Sequence, residues 1–142
     1  MLKTKLLHPE ILAALGRAGH GARVLIADGN YPFTTGSPPT AAKVFLNLMP
    51  GIVKVTDVLT ALVETIPIEA ALVMTPADGA AQPIHEEFRA LLPPGMELSR
   101  EKRLEFYEAA KSAQTALVIA TGEQRRFANL LLTIGVVKQE VP

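Results

Sequence analysis

The stretch "ARVLIAD", residues 22–28, decides how the rest of the chain is read. Its apolar, β-favouring residues lack the polar alternation of a strand with one wet face, and the run is too short for a helix. It therefore predicts a strand buried on both faces, the kind found in parallel sheets covered by helices. Upstream, Pro9 opens a segment in which Ile11, Leu12 and Leu15 fall at helical spacing, with Gly16 and Gly19 as left-handed exits, so His20 lies just past a helix. Downstream, "GNYPFTTGSPPT", residues 29–40, is dense in Gly, Pro, Ser and Thr and predicts a loop, and Asp28 caps the strand where that loop begins. A long loop after a buried strand is a common place for function.

The same alternation continues to the end. "KVFLNLM" (43–49), "IEAALVMT" (68–75), "ALVIATGE" (116–123) and "NLLLTIGVV" (129–137) predict strands. "TDVLTALVETI" (56–66), with Thr56 or Asp57 as N-cap, "PIHEEFRALL" (83–92) and "REKRLEFYEAAKSAQ" (100–114) predict helices. The expectation is an α/β fold, a three-layer arrangement with a mainly parallel sheet flanked by helices, as one domain over residues 1–142. Ligands of such sheets gather at the carboxyl ends of the strands.

Composition narrows the function classes. Fourteen basic and fourteen acidic side chains balance to zero, and no segment concentrates Lys and Arg, so nucleic acid is not the expected partner. The aliphatic runs "AALVM" and "ALVIA" are far shorter than a membrane span, so no membrane is expected. The absence of cysteine fits a reducing compartment, and the opening "MLKTKLLHPEIL" lacks a signal-peptide pattern, so a cytoplasmic location is expected. With 49% hydrophobic but only 5% aromatic residues, some apolar surface is expected to be covered by other subunits.

Most catalytic signatures are missing. "GHG" at 19–21 precedes its strand and lacks a third glycine in place, which argues against a dinucleotide site. No serine sits in G-x-S-x-G, and His8, His20 and His85 are too dispersed for a metal site; "HEE" at 85–87 reads as surface charge on a helix start. What remains is a set of polar residues at element ends: His20, Asp28, Arg103 and Asn129. Imidazole exchanges protons near neutral pH, carboxylate accepts hydrogen bonds, guanidinium donates them, and the amide does both. Together they suit a polyhydroxylated ligand and a reaction needing only proton transfer. Plainer readings stand beside this one: a helix-end histidine, an Asx-turn aspartate, a solvated Arg103, a turn-capping Asn129 and a core Phe127.

Taken together, "GHG" (19–21), "ADGNYP" (27–32), "FYEAAK" (106–111), "TGE" (121–123), "FAN" (127–129) and "LLLTIGVV" (130–137) resemble the D-ribose pyranase and L-fucose mutarotase family. Order and rough spacing agree across most of the chain; residues 34–100 agree in pattern more than identity. The resemblance implies monosaccharide mutarotation without a cofactor and without metal, in ring-like homo-oligomers, often decamers, with active sites at subunit interfaces. It implies His20 as proton donor, Asp28 as a sugar-hydroxyl ligand, and Arg103, Phe127, Ala128 and Asn129 as further substrate contacts. "FYE" and Arg103 lean toward the L-fucose branch; D-ribose pyranase and a non-catalytic sugar-binding or transport-accessory protein are the alternatives. The family usually carries tyrosine where this chain has Phe127, and losing that hydroxyl removes a hydrogen bond worth about 0.5–1.5 kcal/mol.

Overall fold

A computed structural model describes residues 1–141. In chain order the elements are α1 (Pro9–Arg17), β1 (Arg23–Ala27), β2 (Ala42–Phe45), α2 (Val55–Leu62), β3 (Ile68–Met74), α3 (Pro83–Leu91), β4 (Leu98–Glu101), α4 (Arg103–Lys111), β5 (Thr115–Ala120) and β6 (Leu130–Ile134). The six strands form one sheet in the order β2-β5-β1-β6-β3-β4. β1 pairs in parallel with β5, β2 with β5, and β3 with β4, while β6 runs antiparallel between β1 and β3. The expected mainly parallel sheet is therefore present, with one reversed strand at its centre. That reversal brings the start of β6 to the same end of the sheet as the carboxyl ends of the other five strands.

Both faces of the sheet are covered, as the unbroken apolar run of β1 requires. Val24 and Ile26 of β1, Val73 of β3, Leu117 and Ile119 of β5 and Leu130 and Leu132 of β6 meet α1, α2 and α3 through Ile11, Leu59, Leu62, Ile84 and Phe88. The alternate residues Leu25, Ala27, Met74, Val118 and Leu131 face α4 and the loop after β1, through Phe106, Ala110, Tyr31 and Ala41. A nine-residue helix such as α4 is marginal alone in water, so its place depends on burying Phe106, worth about 1.5–3 kcal/mol.

Local chemistry departs from the sequence expectation at several places. α2 starts two or three residues earlier than Thr56 or Asp57 would cap it: Lys54 is the N-cap, and the Asp57 carboxylate accepts the Lys54 backbone N–H at 2.9 Å. The helix expected over 100–114 shortens to Arg103–Lys111, because Leu98–Glu101 pair with Ala71–Met74 as the edge strand β4. β2 ends at Phe45, and β6 spans only Leu130–Ile134. Gly16 lies inside α1, and the left-handed turn before β1 falls at Gly21, φ +85°, not at Gly19. Among the described residues, no helix is long and apolar enough to cross a membrane.

Candidate functional site

The carboxyl ends of β1, β3 and β4 and the start of β6 meet around a cavity of about 370 Å³ lined by Asp28, Asn30, Tyr31, Met74, Arg103, Tyr107, Arg126, Phe127 and Asn129. Four of the sequence-nominated residues thus converge although up to 101 positions separate them. The register explains how: Ile26 pairs with Leu130 across the antiparallel β1–β6 ladder, so continuing it two residues places Asp28 beside the 127–129 turn.

Asp28 is 4% exposed. Burial raises its carboxyl above the ordinary carboxylate range, against the backbone N–H groups of Asn30, Ala128 and Tyr31, which favour the ionised form. The Asn30 N–H donates to Oδ1 at 3.0 Å, the Asx-turn geometry that the sequence admits as the plainer role. Both roles coexist, since the turn uses one carboxylate oxygen. The Asp28 backbone N–H donates to Asn129 Oδ1 at 2.7 Å. That bond commits the acceptor of Asn129 and leaves its NH₂ as the group offered to the cavity.

Two cations frame the opening. The Arg103 guanidinium, on the first turn of α4, lies 6.0 Å from the Tyr107 ring centroid, and that of Arg126 lies 5.5 Å from the Phe127 ring centroid. Each is held near a π-face, leaving N–H groups for an oxygen-rich ligand. Tyr31 packs edge-on against Tyr107 at 5.5 Å and donates its hydroxyl to the Gly36 carbonyl at 2.6 Å, so it shapes the wall while its OH serves the loop.

Phe127 takes a left-handed backbone, φ +56°, unusual for an aromatic residue. Its carbonyl accepts from His85 Nε2–H at 2.9 Å. His85 is therefore not the surface charge expected of "HEE": it is 2% exposed, its ring stacked near Phe88, and burial holds its imidazole below the ordinary range, in the neutral form. Glu87 of the same motif pairs with Arg125, whose guanidinium also grips Glu123 at 2.9 and 3.0 Å. Burial alone would raise Glu123, but the Arg125 hydrogen bonds and charge, with the Val55 N–H, hold it below the usual range. α3 and α2 thus fix the 121–129 segment that carries Phe127 and Asn129. Ala128 enters through its backbone: its side chain is fully buried in the core and lines no part of the cavity.

His20 is elsewhere. It precedes β1, whereas Asp28 follows it, and five strand residues rising about 3.3 Å each put more than ~15 Å between them. The imidazole is 57% exposed at the opposite end of the sheet, with Nε2 2.9 Å from Glu69 Oε2. Within one protomer the nominated proton carrier and the nominated sugar ligands do not meet. Tyr107, Arg126 and His85 are not among the residues that the sequence singles out; Arg126 adjoins Phe127 and Tyr107 lies one helical turn after Arg103, but His85 shows no local signal of burial beyond its place one step after Ile84.

Comparison with known proteins agrees with this architecture. Residues 1–137 match the model of the RbsD / FucU transport protein family. A D-ribose pyranase of Paracidovorax citrulli is 34% identical over 137 residues, covering 96% of this chain and 98% of that protein. The mouse fucose mutarotase is 32% identical over 144 residues, covering 92% and 90%. Among solved structures, Bacillus subtilis RbsD complexed with D-ribose superposes with a TM-score of 0.80 at 26% identity, covering 97% of this chain and all of that one. The fucose mutarotase of Streptococcus pneumoniae in complex with L-fucose shares the fold, TM-score 0.82 at 23% identity, with the same coverage. With sequence matched over nearly its whole length and the same mixed sheet flanked by helices, the chain belongs to the RbsD/FucU family of sugar mutarotases and pyranases.

Proposed function

We propose that the protein is a cofactor-independent isomerase that interconverts the anomers of a free monosaccharide, L-fucose or a related sugar. The observation that carries this reading is the buried Asp28 carboxyl facing a cavity that also holds the Asn129 amide and the Arg103 guanidinium. Anomer exchange needs the anomeric O1 to lose a proton and the ring oxygen O5 to gain one, while the C1–O5 bond breaks and C1=O1 forms. The open aldehyde rotates and the same steps run backward, so no proton, electron or group is consumed. In this reading Asp28 and Asn129 hold the hydroxyl pattern, Arg103 stabilises negative charge developing on oxygen, and His20 moves the proton.

Since His20 lies at the far end of its own protomer, this mechanism takes His20 from a neighbour. Head-to-tail contact between unlike surfaces closes into a ring when the rotation allows, which supports a ring-like homo-oligomer. Exposed apolar residues mark both ends: Val136 and Val137, 61% and 80% exposed, beside the His20 end, and Leu104, 67% exposed, beside Arg103 at the cavity. In this reading the neighbouring protomers cover these residues.

The relative named D-ribose pyranase supports a second reading, exchange between pyranose and furanose rings of D-ribose, by the same ring opening. Saturation-transfer NMR on a panel of pentoses, hexoses and deoxyhexoses tests both. The expected result is accelerated exchange for at least one sugar, lost in His20→Ala; binding with no acceleration for any sugar would leave a sugar-binding protein instead.

A further inference from the structure

Glu69 has no part in the reading above, yet the backbone converges on it. Its Oε2 lies 2.9 Å from His20 Nε2, across 49 positions of sequence. In the β3–β6 ladder Ile68 pairs with Ile134 and Ala70 with Thr133, so Glu69 is the extra residue of a bulge. A bulge redirects a side chain that regular pairing would send elsewhere. Gly135, buried just past β6, keeps the space open: a Cβ there would stand 3.2 Å from Glu69 Cβ and 3.6 Å from its Oε2. On the histidine side, Gly21 at φ +85° donates its N–H to the Ile134 carbonyl at 2.9 Å, which pins the His20 turn to the same end of β6.

An ionised carboxylate only accepts hydrogen bonds, so this contact requires the hydrogen on Nε2. In the neutral ring Nδ1 is then the acceptor. We infer that Glu69 is a positioning residue that holds His20 in the Nε2–H tautomer and fixes its ring, making Nδ1 the atom that exchanges protons with the sugar. This rests on His20 being the proton carrier. Nδ1 takes the O1 proton as C1–O5 breaks, and the imidazolium returns a proton to O5, directly or through one water, while Glu69 remains an acceptor throughout. A carboxylate on the remote nitrogen fixes the tautomer and the orientation of the ring, the same logic as in other histidine–carboxylate pairs.

The test uses the full-length protein with His20→Ala, Glu69→Gln and Gly135→Ala, measuring anomer exchange on the best sugar of the panel and the imidazole ¹⁵N shifts of His20. His20 and Glu69 are 57% and 43% exposed, so substitution there does not threaten the core. Glu69→Gln is expected to lower kcat about ten- to hundredfold with little change in KM, and to shift the His20 Nε2–H signal. Gly135→Ala, which keeps the carboxylate but crowds it, is expected to move both readouts in the same direction by less. Wild-type kcat and unchanged ¹⁵N shifts in Glu69→Gln, with His20→Ala inactive, would overturn this inference alone. A fully active His20→Ala would overturn the reading beneath it.

Discussion

At the scale of single residues, Asp28 shows a group whose burial serves the site at the expense of the fold. Its carboxyl is raised by burial, so between pH 3.8 and its folded value the native chain holds a proton that the unfolded chain has lost. Stability therefore falls as pH rises through that window and stays lower above it. Asp28→Asn keeps an oxygen for the Asn30 N–H and abolishes the buried charge. Thermal melts should show it more stable than wild type at pH 7, with the gain vanishing below pH 3.8, and a variant no more stable at pH 7 would argue against this account. The same change should lower kcat/KM about ten- to hundredfold, the equivalent of losing charged hydrogen bonds worth about 1.5–3 kcal/mol.

At the scale of elements, α3 acts as a clamp on the turn bearing Phe127 and Asn129. His85→Ala strands the Phe127 carbonyl, an expected loss of about 1–3 kcal/mol in denaturant unfolding. Burial depresses the folded-state value of His85 below 6.5, so the unfolded chain binds more protons as pH falls through the window beneath that value. The His85 contribution is complete above pH 6.5 and declines on acidification; His85→Gln, which retains a donor for the carbonyl, should flatten that part of the stability profile. The 121–123 turn is equally constrained. A Cβ on Gly122 would stand 2.4 Å from the carbonyl oxygens of Met49 and Ile52, so Gly122→Ala should cost about 1–3 kcal/mol by displacing backbone. An undiminished melting temperature would show that the 49–52 loop yields freely.

At the scale of the whole molecule, the separation of His20 from Asp28 by the length of β1 makes a decisive mixing experiment possible. His20→Ala and Asp28→Asn should each be severely impaired alone. Refolded together in equal amounts, a head-to-tail ring should recover about a quarter of wild-type activity, because random pairing gives that share of sites an intact residue from each neighbour. No recovery in mixed oligomers would remove the shared-site mechanism. Aspartate in place of Val137 or Leu104, exposed apolar residues at the two ends, should lower the assembly size measured by sedimentation without unfolding the protomer.

Local patterning determined most of the elements. Apolar runs such as 22–28 leave a strand few alternatives, and proline with helical apolar spacing places α1 and α3 where they are found. The edge strand β4 escaped because "LSRE" carries only one buried apolar residue, and its pairing with β3 is a long-range event. Asp28 and Asn129 were legible as polar residues at strand ends. Their union needed the antiparallel β6, which no local signal specifies, since strand direction follows from how the chain closes its core. The burial of His85 is hidden from the sequence for a related reason: a polar ring can be buried there only because Phe127, 42 positions away, brings it a carbonyl. The contact between His20 and Glu69 was invisible for the same cause, because a bulge and a nearby glycine acquire meaning only when strands distant in sequence lie side by side.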